Sequence, residues 1–516
     1  MKKERKAITI IKILLSLAFP ALLCLAYCLI RGISPSDLYV PASYNNDCLY
    51  YYKLVDAVVA HGGPVGYFGF NESHALIGGF AAWSPLIVLP WSLWGLIFGW
   101  SYSSALICNV VIFSLSLAAF VYLSEIDIKE LGILFLMLFL FPSFTIHLLN
   151  IMPEIIVVSI VLIYYGYVVR ATKREIRNSY IVVMFVISAF LTIMRPYMAL
   201  LMILPAYFLG RKKGKAAGFF AFLGTVLLSG VCNALIGHFF TSAYFEPLFK
   251  TDIFKMLLKG KFTESYYTAA RVFKSMAVGL AEAVHDSFAY GLTMGTHYVI
   301  AAVTAVFAIV LLLRKEKKED KPMYAAFAAS VLGLVLAIVF LLQKTNEGGR
   351  HIFAFSVVGI VLVCLCGLDR MGIVIKSMIL LLLITFCVRG AMVPTDYDIP
   401  VKTAEIAAEG EFWRNVFESE GLAEPGEKGY DNTVSWVFVD YDGNGNMLVT
   451  RYSELYELPS GVGISCCYPD YIINNIGSLK SRYVVTASDG KVADLLRENG
   501  IEAVAEHGNV VMFKRY

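Results

Sequence analysis

Residues 1–30 read MKKERKAITIIKILLSLAFPALLCLAYCLI, and this stretch decides how the rest of the chain is threaded. Lys2, Lys3, Arg5 and Lys6 lead into an apolar run over residues 8–30. That run is longer than the roughly 7–15 residues of a cleavable signal core, and no clear small-residue cleavage site follows it. At about 1.5 Å per residue it covers a hydrocarbon layer roughly 30 Å thick. It reads as a retained signal anchor with a cytoplasmic N-terminus.

Comparable runs recur along the 516 residues, of which 58% are apolar and only 16% charged. The mean hydropathy is +0.67. This composition excludes a cytosolic enzyme, a disordered tail, a collagen and a secreted disulfide scaffold, and it specifies a multi-pass protein of the cell membrane. The net charge of +3 conceals an asymmetry: residues 1–389 carry 33 basic and 20 acidic side chains, residues 390–516 carry 10 and 20. The basic surplus therefore belongs to cytoplasmic loops of the membrane part and does not point to nucleic acid. Most cysteines lie in apolar spans as small hydrophobes, no metal spacing emerges, and adjacent Cys466 and Cys467 read as two thiols rather than a strained disulfide.

Basic clusters at Arg170, Lys173, Arg174 and Arg177, at Arg211, Lys212, Lys213 and Lys215, and at Arg314, Lys315, Lys317, Lys318 and Lys321 are expected on the cytoplasmic side. Between the first two lies a segment broken at Arg195-Pro196, where proline disfavours helix for the residue before it. A hairpin of two short helices follows, with Arg195 at its outer tip. The same parity puts residues 150–154 and 343–351 outside. Residues 83–100, interrupted by Pro85 and Pro90 and rich in tryptophan, are assigned an interfacial or re-entrant seat. The expectation is an α-helical polytopic membrane domain over residues 1–390 with about 11–13 membrane helices, about eleven of them crossing. Its outer loops are 31–82, 241–295 and 343–351. A small extracytoplasmic α/β domain spans residues 391–516, with strands near 434–439, 447–452, 483–486 and 510–514 and a helix over 491–499 closed by Gly500.

The first outer loop contains Tyr44-Asn45-Asn46-Asp47-Cys48-Leu49-Tyr50-Tyr51-Tyr52-Lys53. A carboxylate among tyrosines suits deprotonation of a hydroxyl nucleophile, though on these residues alone a helix cap beside an interfacial aromatic belt is the favoured reading. Glu154 opens a span, where the helix dipole alone favours it, or where it acts in catalysis or acceptor binding. Arg195 is a tip residue or the partner of a nearby acid. Arg350 and His351 either snorkel to headgroups or hold an anion. Glu72 and His74 read as solvated loop residues. Residues 249–278 alternate apolar faces with Lys250, Lys255, Lys259, Lys261, Arg271 and Lys274, as a helix in the headgroup plane does. Asp440-Tyr441-Asp442-Gly443-Asn444-Gly445-Asn446 has Arg451 where a calcium loop needs glutamate, so it reads as a turn between two strands.

The order of these parts resembles the GT-C superfamily of polytopic glycosyltransferases. The features are a first span leading to Asp47 and the YYYK run, Trp83-Ser84-Pro85, Met152-Pro153-Glu154, Met194-Arg195-Pro196 and Gly348-Gly349-Arg350-His351. The resemblance implies sugar transfer from a polyprenyl-phosphate donor at the outer face, with Asp47 as base or metal ligand and outer cations holding the lipid phosphate. Arg350 and His351 match the phosphate-holding role, with Arg195, Lys344 or Lys53 assisting. No second acid stands beside Asp47, so a divalent metal is not required by the pattern. The implied partners are membrane lipids, the donor lipid and a cell-envelope glycan or lipid acceptor. A lipid-linked oligosaccharide polymerase or ligase shares the spans and outer cations, and a flippase is the rival outside enzymology.

Overall fold

The computed structural model describes residues 2–38, 46–62, 68–72, 84–174, 176–240, 249–291, 293–313, 320–367, 369–392, 404–422, 433–437, 439–441, 447–449 and 457–516. Tyr44, Asn45, His74, Trp83, the cations at 314–318, the turn residues 442–446 and Arg451 lie outside the described residues.

The helices run α1 (Lys2–Arg31), α2 (Asn46–His61), α3 (Leu89–Phe98), α4 (Tyr102–Ser124), α5 (Ile128–Phe139), α6 (Pro142–Leu148), α7 (Glu154–Lys173), α8 (Asn178–Met194), α9 (Ile203–Lys213), α10 (Lys215–Phe240), α11 (Asp252–Leu258), α12 (Phe262–Tyr290), α13 (Gly295–Leu313), α14 (Lys321–Ala337), α15 (Thr345–Cys364) and α16 (Arg370–Met392). Among the described residues seven helices are long and apolar enough to cross a membrane, and eight if the bent pair α5–α6, angled at 80°, forms one span. Shorter apolar helices, α3, α8 and residues 348–364 of α15, add to the bundle without meeting that length. The expectation of about eleven crossings counts segments such as α8 as spans and leaves residues 83–100, which contain α3, uncrossed. At ten residues α3 reaches only about 15 Å, half the hydrocarbon thickness.

Between α8 and α9, Pro196 starts a 3₁₀ turn over Pro196–Met202, and Arg195 takes the extended backbone (φ −145°) that the following proline favours. In place of one surface helix over 249–278, the described part of the 241–295 loop holds two, α11 and the longer α12, the latter with exposed Phe262, Tyr266, Tyr267, Phe273 and Val278.

Beyond the membrane helices lie α17 (Ala404–Ser419), α18 (Pro469–Asn475) and α19 (Lys491–Glu498). The strands are β1 (Phe68–Phe70), β2 (Thr433–Val437), β3 (Val439–Tyr441), β4 (Met447–Val449), β5 (Gly463–Cys467), β6 (Tyr483–Ala487), β7 (Glu502–His507) and β8 (Val510–Lys514). The main sheet has order β1-β5-β2-β6-β8-β7. β1, β5, β2 and β6 are mutually parallel, and β8 runs antiparallel to β6 and β7. β3 and β4 form a separate antiparallel pair with Tyr441 opposite Met447, which brackets the glycine-rich segment. Alternation along β5 sends Cys466 into the cluster containing Trp413 and Trp436, and Cys467 into the one containing Ile472, Val492 and Leu496. Both faces of β5 are thus covered, and both cysteines are free thiols.

The sheet is not built from the tail alone. β1, at its edge, comes from the first outer loop and pairs with β5, Phe68 opposite Ile464 and Phe70 opposite Cys466. Glu72 secures the graft: its Oε1 accepts from Lys480 N (2.8 Å), Ser481 N (2.7 Å) and Ser481 Oγ (2.7 Å), and its Oε2 from Tyr471 Oη (3.1 Å). The expected solvated Glu72 is therefore a buried anchor. Its carboxylate satisfies donors that burial would otherwise leave open.

Candidate functional site

Four segments meet at the end of the bundle opposite the basic clusters of α7 and α9. The first is the start of α2. Asp47 sits in its first turn, where the positive helix end favours a carboxylate. Its Oδ2 accepts from Nη1 of Arg350, with side chains 29% and 15% exposed respectively. Arg350 arrives on α15, whose glycines permit close packing. A Cβ at Gly349 would lie 2.5 Å from the Met294 carbonyl oxygen, and one at Gly348 would strike the Tyr298 hydroxyl.

The second pair is deeper. Arg195 Nη2 donates to Glu154 Oε1 at 2.7 Å, and both side chains are only 2% exposed. Arg195 Nη1 also donates to Tyr197 Oη (2.9 Å) and to His351 Nδ1 (2.8 Å), which lies 3.0 Å from Tyr197 Oη. A guanidinium cannot accept, so Nδ1 of His351 is the acceptor and its proton resides on Nε2. Arg195 is thus the partner of a nearby acid, one of its two readings, and the snorkelling alternative for His351 fails because that ring is buried.

Tyr51 ties the pairs together, lying within electrostatic reach of Asp47, Arg350, Arg195 and Glu154. Burial, reinforced by Asp47, pushes its phenol well above the ordinary value, so it stays protonated. Tyr50, Tyr51 and Tyr52 are all buried, which replaces the interfacial belt with packing against the bundle; Tyr51 and Trp91 rings lie 6.3 Å apart. The floor is firm. Trp91 Nε1 donates to Asn109 Oδ1 (2.8 Å), and Asn109 Nδ2 donates to the carbonyls of Leu148 (3.2 Å) and Asn150 (2.8 Å), fixing the turn before Glu154.

Arg350 Nε, Glu154 Oε2 and His147 Nε2 are buried here without a partner among the described residues. A second layer flanks them. His297 Nδ1 donates to the Gly349 carbonyl (2.9 Å) and its Nε2 accepts from Ser143 Oγ (2.5 Å), while His147 Nδ1 donates to the Ser143 carbonyl (2.8 Å).

Lys344 is exposed just before α15 and lies within electrostatic reach of His351. Lys53 is not with the group. Its ammonium is 1% exposed and donates to the Leu458 carbonyl (2.7 Å), with Asp56 at 3.7 Å. Burial depresses its pKa against the opposing pull of Asp56 and Glu457. The expected assisting role of Lys53 thus gives way to an anchor between α2 and the sheet domain. Tyr197, absent from the sequence reading, was signalled only by standing two residues after Arg195.

A divalent cation does not fit these donors. Each carboxylate is already engaged by a guanidinium, and among the described residues no three His, Cys, Asp or Glu side chains come together as ligands.

No family model and no curated protein matches the sequence. Among solved structures, the chain is similar to the oligosaccharyltransferase of Archaeoglobus fulgidus in complex with zinc and sulfate, at 11% identity and TM-score 0.47, over 93% of this chain and 67% of that one. It is also similar to ArnT from Cupriavidus metallidurans bound to undecaprenyl phosphate, at 9% identity and TM-score 0.40, over 99% and 97% of the two chains. The apo form of ArnT gives 11% identity and TM-score 0.41, over 96% and 97%. At these identities the likeness says nothing of any residue's role.

Proposed function

We propose that this protein is a membrane glycosyltransferase that moves one sugar from a polyprenyl-phosphate donor to a cell-envelope acceptor at the outer face, with inversion. The observation that carries the reading is the convergence of Asp47, Glu154, Arg195, Arg350 and His351, from positions about three hundred residues apart, into one partly open cluster. In this reading Asp47, the more exposed acid, takes the proton of the acceptor hydroxyl as its oxygen attacks the anomeric carbon. The bond from that carbon to the phosphate oxygen breaks, and the polyprenyl phosphate leaves with the electron pair. Arg350, which has donors beyond the one on Asp47, and the Nε2–H of His351 hold the leaving phosphate, with Lys344 at the mouth. Arg195 and Glu154 keep His351 in the donating tautomer.

A monophosphate leaving group needs only cations and alignment, which this cluster supplies without a metal. Mass spectrometry of envelope glycans and lipids from cells with and without the protein tests the proposal. The expected result is loss of a single sugar from one acceptor, restored by the wild-type chain and not by Asp47→Asn. Loss of whole oligosaccharide blocks would point instead to a polymerase or ligase, and an unchanged glycan profile would reject transfer.

A further inference from the structure

At the opposite end of the bundle the structure holds a second binding feature that the transfer reaction does not use. α7 starts at Glu154 and ends at Lys173, some 30 Å further along its axis. There a polar cavity of about 520 Å³ is lined by Lys173, Arg174, Arg211 and Lys212 with Phe208. Beside it, a groove of about 530 Å³ runs between α9 and α10, lined by Ile203, Ala206, Tyr207, Phe219 and Phe222, and is overwhelmingly apolar. Arg211 lines both, and Lys215 stands at the groove's charged end.

The groove exists because α9 and α10 touch through small residues. A Cβ at Gly218 would lie 3.0 Å from the Gly210 Cα, so the flanking aromatic side chains splay and leave a trough. α10 is almost unburied by the rest of the protein, so the trough faces the surrounding lipid. Three of the cations are already engaged: Lys173 with the Ser124 carbonyl (2.9 Å), Arg174 with Glu125, and Lys212 with the Ile176 carbonyl (2.8 Å). For Arg211 and Lys215 the described residues supply no acid.

We propose that this composite is a site for an anionic glycerophospholipid of the leaflet at the basic end. One acyl chain lies in the α9–α10 groove, and the headgroup phosphate is held by Arg211 and Lys215 at its mouth. Charge complementarity fixes the class, since a chain-shaped apolar trough ending in two cations that no described acid neutralises matches an anionic lipid and repels a cationic one. Basic recesses between spans at the cytoplasmic side have the same physical logic. A generic cationic loop accounts for the charges but not for a trough continuous with them.

The full-length protein in phosphatidylcholine nanodiscs doped with phosphatidylglycerol tests this, with bound lipid read by native mass spectrometry. The Arg211→Ala/Lys215→Ala double variant should weaken phosphatidylglycerol retention roughly thirtyfold, at about 1 kcal/mol per cation. Lys213→Ala, which removes a neighbouring charge lining neither feature, should leave retention unchanged. Ala206→Phe, which fills the trough and keeps every charge, should also weaken it. Equal loss in Lys213→Ala would overturn the proposal in favour of diffuse surface attraction. Full retention in Ala206→Phe, or displacement of the lipid by inorganic phosphate alone, would overturn the acyl-chain assignment. Preferential displacement by polyprenyl phosphate would overturn the glycerophospholipid assignment.

Discussion

Asp47 and Glu154 are both acids facing a guanidinium, yet their burial assigns them different work. Asp47 is 29% exposed and open to a substrate, whereas Glu154 is 2% exposed and supports Arg195. Asp47→Asn should lower turnover roughly 10²–10⁴-fold, the usual contribution of a positioned base. Its thermal midpoint should barely move, because a partly exposed pair contributes about 1 kcal/mol or less. Comparable activity in that variant would remove Asp47 from the chemistry. Glu154→Ala should behave oppositely, destabilising the detergent-purified protein by about 3–5 kcal/mol, since it leaves Arg195 charged and buried. A wild-type melting curve would refute that pairing. Arg350→Ala should raise KM for the lipid donor more than it lowers kcat. The residues of this cluster were legible in the sequence because they sit where apolar runs end, at Asp47, Glu154, Arg195 and Arg350. Their pairing was not, because nothing in Met194-Arg195-Pro196 announces which distant acid it meets.

At the level of elements, α2 is held at both ends of its environment: Asp47 faces Arg350, and Lys53 reaches the Leu458 carbonyl of the sheet domain. Lys53→Met keeps the stem length and removes the donor, so limited proteolysis should cleave the sheet domain sooner than in wild type, and transfer should fall although Asp47 is intact. Unaltered proteolysis would mean that Lys53 does not join the two parts. Within the sheet domain, Glu420 accepts from Tyr483 Oη (2.8 Å) and Lys514 Nζ (2.7 Å). Burial would raise its pKa, but these partners outweigh it and hold the carboxyl below the ordinary value. Because the folded value is depressed, the stabilisation is present above the ordinary carboxylate pKa and disappears as the pH falls through the folded one. Acid unfolding followed by tryptophan fluorescence should show a smaller loss over that window for Glu420→Gln than for wild type; identical pH profiles would count against it. β2, β6, β8 and α19 were readable from alternation and from the glycine after the helix. β1 was not, because three residues, Phe68-Gly69-Phe70, carry no period, and its partners are backbone groups almost four hundred positions away.

For the molecule as a whole, the helices establish a multi-pass membrane protein, and the acid–guanidinium cluster and the basic cavity occupy opposite ends of α7. With the basic end in the cytoplasm, a cysteine replacing exposed Tyr468 should react with a membrane-impermeant maleimide in intact cells, whereas one replacing Lys213 should react only after permeabilisation. The reverse pattern would invert the topology. The apolar runs gave the bundle away, and Pro85 and Pro90 interrupt the stretch that holds the ten-residue α3 and set it apart from the full spans.

The graft of β1 onto β5 imposes an order on biogenesis. The ribosome delivers residue 68 long before residue 463, so the first loop must wait without its neighbouring strand until residues 463–467 have been made. A chain stopped before that strand therefore lacks the clamp on the segment that follows α2.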